Sequence, residues 1–299
     1  MAFEKMKNNF RKGNTIPFGG LPEQDFEKAK IVVVPVPYEA TTSYYEGTKK
    51  GPEAILKASC QIEEIWGEFI RSRIEKGKSI FTTKEIKLTG KSEKTFLPLS
   101  NFLKGIFDAS KIPFLLGGEH SITYGAVKEV KKHFKNISVL QFDAHTDLRD
   151  TYLGEKFSHA CTMRRIRELR IPVVSCGIRS IDCDVAEFIR KEKIKNMFSS
   201  PELPVKKILK SLSKNVYLTF DFDFFDPSIM PSVGTPQPGG HLWQETLDLL
   251  KKICKEKNII GADFVELCPI PGFIASDFLA AKLIYKVATF ILQAKSKVE

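Results

Sequence analysis

Residues 137–147, Ile-Ser-Val-Leu-Gln-Phe-Asp-Ala-His-Thr-Asp, change character halfway along with no linker between the halves. The first six read as a short strand, mostly apolar and buried. Asp143, His145 and Asp147 then follow at i, i+2 and i+4. That spacing puts three side chains on one side of an extended segment. Two aspartates so close to a buried strand are costly unless they are paired or bind a metal. Carboxylates with imidazole suit Mn(II), Fe(II) or Zn(II) better than a thiolate site would. The plain alternative is a polar loop with capping aspartates; the burial argument favours a metal.

Outward from this stretch the same change recurs. A strand over 113–116 runs into Gly117-Gly118-Glu119-His120-Ser121. Another over 215–220 runs into Asp221-Phe222-Asp223-Phe224-Phe225-Asp226-Pro227. A third, very apolar, over 259–265 ends in Glu266. Further strands are expected over 31–36 and 173–177. Helical spacing marks 52–69, 101–110, 123–134, 159–169, 185–191, 204–212, 243–255 and 277–294. Alternation of this kind predicts an α/β fold with a mostly parallel sheet flanked by helices. Functional loops of such a sheet gather at the carboxyl edge of its strands, so these clusters can converge there. The Gly/Pro-rich segment 227–240 lies between strand and helix and reads as an active-site loop. The Lys-rich segment 76–94 reads as an exposed insert. No internal repeat or linker divides the chain, so one domain over 1–299 is expected.

Composition excludes several classes. The 299 residues carry 46 Lys and Arg against 36 Asp and Glu, a net charge of +10, with 42% apolar residues. That is enough apolar mass for a large core. Apolar runs fall far short of the roughly 20 residues a membrane span needs. Residues 1–12 are charged and no apolar stretch follows, so no secretory signal is expected. Six scattered cysteines form no C-x-x-C pair, which fits a reduced, cytoplasmic protein. Cys161 and Cys268, near the polar clusters, read as small packed residues. Basic pairs such as Lys131-Lys132 and Arg164-Arg165 are interspersed with Glu129 and Glu168. A solvated lysine-rich surface explains them better than a nucleic-acid footprint.

The individual clusters differ in weight. His120 alone could be a local cap or a packed residue. One Asp-x-Asp, as in Asp221 and Asp223, also fits a capped turn or a magnesium-phosphate site. Together the three clusters hold two histidines and four aspartates, enough for two metals. Asp226 before Pro227 reads as a turn residue. His159, in Ser158-His159-Ala160, is either a proton shuttle or a polar helix start. Glu266 could pair with a planar cation, or with a surface lysine.

With these clusters in this order, the chain resembles the ureohydrolases, the arginases, agmatinases and their relatives, from about residue 30 onward. The run Asp143-Ala-His-Thr-Asp-Leu-Arg-Asp150, then Ser158-His159 and Met163-Arg164-Arg165, looks more like agmatinase-type enzymes than arginases. These include enzymes acting on aminopropylagmatine. The resemblance implies a three-layer α/β/α arginase-like fold with a central, mostly parallel eight-stranded sheet. It implies that His120, Asp143, His145, Asp147, Asp221 and Asp223 hold two Mn2+ per subunit. It implies His159 as acid/base, Glu266 as the guanidinium-binding carboxylate and Thr235 as a secondary residue of the substrate loop.

The implied reaction is hydrolysis of a small cationic guanidino substrate by a metal-bridging hydroxide. Agmatine would give urea and putrescine, in polyamine biosynthesis. Aminopropylagmatine, giving spermidine, or another guanidino compound are the alternatives. Members of the family usually form trimers or hexamers, so a homo-oligomer is implied. Three positions depart from the family pattern: Glu119 stands where Asp is commoner, Gln237 where Glu is frequent, and Leu267-Cys268 also differ. Glu119 would then support the ligands from behind rather than change their number. Two rivals outside this reading are a metal-dependent deacetylase and a basic nucleic-acid-binding protein with a vestigial metal site.

Overall fold

Ile31 and Val33 point to one side of their strand, Val32, Val34 and Val36 to the other, and all five are buried. A strand apolar on both faces needs cover on both faces. In the computed structural model, which describes residues 15–20, 24–63 and 79–295, it has that cover. The strand is β1 (Ile31–Val36) of an eight-stranded sheet. The others are β2 (Ile80–Thr82), β3 (Ile112–Gly117), β4 (Ile137–Phe142), β5 (Val173–Ile178), β6 (Met197–Ser199), β7 (Asn215–Asp221) and β8 (Asn258–Val265). Their order is β2-β1-β3-β8-β7-β4-β5-β6, and every pairing is parallel.

One face of the sheet is covered by α1 (Gly51–Ser59), α6 (Val205–Ser211), α7 (Trp243–Glu256) and α8 (Ala275–Lys295). Ile55, Leu250, Ile253, Ile284 and Val287 meet Val33, Phe142 and Phe220 there. The other face is covered by α2 (Leu97–Asp108), α3 (Ile122–His133), α4 (Thr162–Glu168) and α5 (Cys183–Lys191). Leu99, Leu103, Val127 and Ile166 pack with Val34, Val139 and Tyr217. This is the three-layer α/β/α fold that the resemblance implies.

The strand order positions the site. The chain crosses from β3 to β4 through α3 and leaves a gap two strands wide, which β8 and β7 fill last. The four strands that end in polar clusters are therefore neighbours, β3-β8-β7-β4, at the centre of the sheet.

Some expectations change. β2 and β6, three residues each at the two edges, escape sequence reading. The expected insert over 76–94 begins, in its described part, with β2 at the sheet edge, where Ile80, Phe81 and Thr82 are buried, while residues 84–94 after it are mostly exposed. The helix expected over 52–69 closes at Ser59, and residues 64–69 lie outside the described residues. Residues 1–12 also lie outside them. Among the described residues no helix is long and apolar enough to cross a membrane.

Candidate metal centre and adjoining cavity

β4 ends at Phe142, and Asp143 stands fully buried directly after it. Gln141 Nε2 donates to Asp143 Oδ2 at 2.7 Å, and the His145 amide donates to Oδ1 at 2.6 Å. The next residues do not continue as an extended strand. Asp147 adopts φ +50, and this left-handed turn, rather than simple alternation, aims its carboxylate back at the sheet. β7 ends on Asp221, whose Oδ1 accepts from the Asp223 amide at 2.9 Å. That bond curls the chain into a short 3-10 turn, so the two aspartates serve different neighbours. Asp223 Oδ2 lies 2.7 Å from His145 Nδ1, while Asp221 Oδ2 lies 3.5 Å from His120 Nδ1.

His120 arrives from β3 through a turn pressed against β1. A Cβ on Gly118 would sit 2.0 Å from the Tyr38 carbonyl oxygen, so only glycine permits this approach. The need is for space, not for a left-handed backbone. The turn is stitched by Gly118 N donating to the Val36 carbonyl and Glu119 N to the Tyr38 carbonyl.

Counting donors assigns the protons on the His120 ring. Thr219 Oγ1 lies 2.5 Å from Asp263 Oδ1 and donates its single hydrogen there. Asp263 is fully buried and also accepts from Tyr217 Oη at 2.8 Å. Thr219 Oγ1 can then only accept from His120 Nε2, 2.8 Å away. The proton sits on Nε2, and Nδ1 turns toward Asp147 Oδ2 at 2.9 Å, Asp143 Oδ2 at 3.2 Å and Asp221 Oδ2 at 3.5 Å. Nδ1 is buried and has no hydrogen-bond partner. Burial opposes charge on this imidazole, but Asp143, Asp147 and Asp221 outweigh it and raise it well above its ordinary value, so the cluster calls for a positive charge at Nδ1, which a proton or a bound metal ion supplies.

The electrostatics say the same. Burial raises the Asp143 carboxyl, and Asp223 and Asp147 push it further, up to about 7. Asp221 is raised well above the carboxylate range by burial, then by Asp223 and Asp143. Asp223 is held at about 2 despite burial, because His145 and the Ala144 amide stabilise its charge. Burial opposes charge on His145, but Asp223 outweighs it and lifts the imidazole to about 10. A site that draws protons this strongly in among its acids offers the same place to divalent ions.

Two groups of donors meet the spacing that one ion needs: His120, Asp143 and Asp147, and Asp143, His145 and Asp223. Within each group the donor atoms lie within 4.8 Å of one another. Asp143 belongs to both, as a carboxylate between two neighbouring ions would. Asp221 stands at the edge of the first group. The donor set of oxygen and imidazole nitrogen fits two borderline-to-hard divalent cations.

Above this floor is a cavity of about 300 Å³, lined by His120, His145, Asp221, Asp223, Glu266, His159 and Thr235, among others. Glu266 follows β8 with φ +65; its amide donates to the Gly118 carbonyl at 2.8 Å, and its Oε1 accepts from the His120 amide at 2.6 Å. The alternative of a surface lysine partner finds no such ion pair among the described residues. Burial, then Glu119, raises the Glu266 carboxyl well above its ordinary value, and a cation beside it would favour the charged form. His159 starts the 3-10 turn His159–Cys161 and lines the cavity as well, so both of its sequence readings hold in position. At the rim Arg149 Nη2 meets Asp182 Oδ2 at 2.6 Å and stacks over Tyr152, whose ring is edge-on to His159.

Several participants carry no sequence signal, or a misleading one. Glu119 does not touch the ligand side chains it was expected to support. Its Oε2 accepts from the Ala40 and Thr41 amides, and its Oε1 from the Thr41 and Ser121 hydroxyls, so it clamps a distant loop instead. Arg179 donates to the carbonyls of Asp223 (2.6 Å), Gln237 (2.8 Å) and Gly177 (3.1 Å), tying the metal-edge turn to the segment carrying Thr235. Gln237 Nε2 lies 3.4 Å from His145 Nε2. Thr219 did have a signal: it shares a strand face with Asp221 by period two. Asp226 is the turn residue expected, accepting from the amides of Ser228, Gly239 and Gly240.

A parallel sheet that gathers carboxylates and imidazoles at its carboxyl edge, beneath a polar cavity, defines an α/β protein with a candidate two-metal centre. The Arginase family model matches residues 29–289, and the chain belongs to the arginase family. It is 36% identical over 283 residues to the N(1)-aminopropylagmatine ureohydrolase of Synechocystis sp., covering 91% of this chain and 92% of that protein. It is 34% identical over 251 residues to the agmatinase of Bacillus cereus, covering 82% of this chain and 86% of that one. The agmatine ureohydrolase structure of Thermoplasma volcanium aligns with a TM-score of 0.80 at 26% identity, covering 98% of this chain and 99% of that chain.

Proposed function

We propose that this chain is a manganese-dependent ureohydrolase that converts agmatine to putrescine and urea. The observation that carries the reading is the buried His120 Nδ1 among three carboxylates, directly beneath a cavity that Glu266 and His159 line. His120, Asp143, His145, Asp147, Asp221 and Asp223 would hold two Mn2+ per subunit. Ions held there would lower the pKa of water and so supply a nucleophile at neutral pH.

The side chains have separate tasks. A guanidinium is cationic and a poor electrophile, so it must be held still and aimed. Glu266 binds it: Oε1 is already fixed by the His120 amide, and Oε2 is left for the substrate. His159 delivers a proton to the departing amine nitrogen, without which the C–N bond cannot break to a neutral product. Thr235 borders the bound guanidino group in a secondary role. The rim, with Arg149, Tyr152 and Asp182, receives the rest of the substrate. The whole of 1–299 is proposed to act as one domain, in the cytoplasm, in a homo-oligomer.

The second reading, aminopropylagmatine to spermidine and urea, is favoured by the name of the Synechocystis relative. Urea release by manganese-loaded protein decides, with kcat/KM compared for agmatine, aminopropylagmatine, arginine and guanidinobutyrate. A strong preference for agmatine supports the proposal, and one for aminopropylagmatine replaces it with the second reading. Silence on all four with two metals bound overturns the substrate assignment.

A further inference from the structure

We infer that Thr41, clamped by Glu119, is a positioning residue that keeps the imidazole proton of His159 on Nδ1 and leaves Nε2 to face the cavity. This rests on His159 being the acid/base group of the proposed reaction. Thr41 is 118 residues from His159 in sequence. Its neighbourhood is nevertheless built with few degrees of freedom.

The argument is a count of hydrogens. Glu119 is fully buried and all of its partners are donors. A carboxylate held by four donors stays an acceptor. Thr41 Oγ1 lies 2.7 Å from Glu119 Oε1, so its one hydrogen is committed there. The same oxygen accepts from the His159 amide at 3.1 Å. It also lies 3.3 Å from His159 Nδ1. With no hydrogen left to give, Thr41 can only accept from Nδ1. A bare Nδ1 would set two lone pairs against each other in a half-buried place. Ser158 Oγ is the other neighbour of Nδ1, also at 3.3 Å, and it can accept as well as donate. A proton on Nδ1 satisfies both contacts, and its absence satisfies at most one.

The consequence concerns which ring nitrogen does the work. With Nδ1–H fixed, neutral His159 offers the Nε2 lone pair to the cavity, and protonated His159 offers an Nε2–H. Nε2 makes no protein hydrogen bond among the described residues, so it is free to exchange a proton with substrate or water. The amide contact fixes the backbone and the Nδ1 contact fixes the ring, both through a single hydroxyl. The arrangement is the counterpart of Asp263-Thr219-His120, where a carboxylate also fixes a ring proton through a threonine.

Thr41→Val removes the hydroxyl and keeps the shape, and Thr41→Ser keeps the hydroxyl. The valine variant should lose about 10- to 100-fold in kcat, the range for residues that orient a working group. KM should stay within about threefold and the manganese content should not change, because Thr41 touches neither substrate nor ligand. The serine variant should recover kcat to within about threefold, and Ser158→Ala should leave it largely intact.

A second readout does not depend on activity. With five histidines in the chain, 15N ring shifts of His159 can be assigned by comparison with His159→Gln in zinc-loaded, diamagnetic protein. The proton should be found on Nδ1 in the wild type and lose that preference in Thr41→Val. A wild-type proton on Nε2, or full kcat in the valine variant, overturns the inference. So does a loss of kcat that follows loss of metal. If the wild type releases no urea, the functional reading fails, while the ring shifts still decide the tautomer.

Discussion

The floor of the cavity and its rim are made by different means. Floor residues stand at the ends of three central strands, β3, β4 and β7, and Asp143, Asp147, Asp221, Asp223 and His120 are all buried. Each is aimed by backbone that the sheet holds, and several are bonded to one another before any ligand arrives. Rim residues stand on loops: Arg149 and Asp182 keep 41% and 29% of their side-chain surface exposed, and Tyr45, which also lines the cavity, is 52% exposed. The difference teaches how one fold can keep a reaction and change its substrate. In the proposed reaction the chemistry would be committed by the sheet, whereas tail length and tail charge would be met by loops that can vary without disturbing it.

The largest effect should come from Asp143→Asn, since Asp143 alone belongs to both donor groups. Manganese and urea release should vanish together, read by metal analysis after desalting and by a urea assay. Full manganese occupancy in that variant would break the assignment of the floor. Glu266→Gln comes next. Removing one partner of a buried, hydrogen-bonded charge pair costs about 2–5 kcal/mol, roughly thirty- to several-thousand-fold in kcat/KM. Both metals should stay bound, and equal turnover by the variant would contradict the role of Glu266.

Thr219→Val tests the support beneath the floor. It cuts the link from Asp263 to His120, so manganese affinity should fall about 10- to 100-fold. At saturating manganese, kcat should return close to that of the wild type, and a titration that does not move would show the link to be idle. Arg149→Ala probes the rim and should have the smallest effect. Its ion pair with Asp182 is partly exposed, a setting worth about 0.2–1 kcal/mol, so discrimination among substrates should shift by no more than about fivefold. Loss of metal in this variant would erase the contrast between floor and rim.

Much of this was open to reading along the chain. Six strands stood out because a strand covered on both faces must be apolar throughout, and the polar clusters after four of them broke that rule abruptly. β2 and β6 did not stand out: three residues at an edge, paired on one side only, leave too short a pattern. Convergence at the sheet edge could be expected from parallel topology, and His120, Asp143, His145, Asp147, Asp221, Asp223 and Glu266 do lie together there. Which oxygen faces which nitrogen could not.

Asp147 reaches His120 through a left-handed turn, not through alternation. Glu119 reads as support for its neighbour His120 yet clamps Ala40 and Thr41. Arg179 holds the carbonyls of Gly177, Asp223, Phe224, Phe225 and Gln237, four of them in distant segments, with no motif to announce it. The sequence by itself determined the layers and the inventory of candidate ligating groups, because burial and periodicity are local properties of a chain. Only the tertiary structure decided the partners and the ring protons, because a hydroxyl or carboxylate bonds to whatever the packing of the whole sheet brings within about 3 Å.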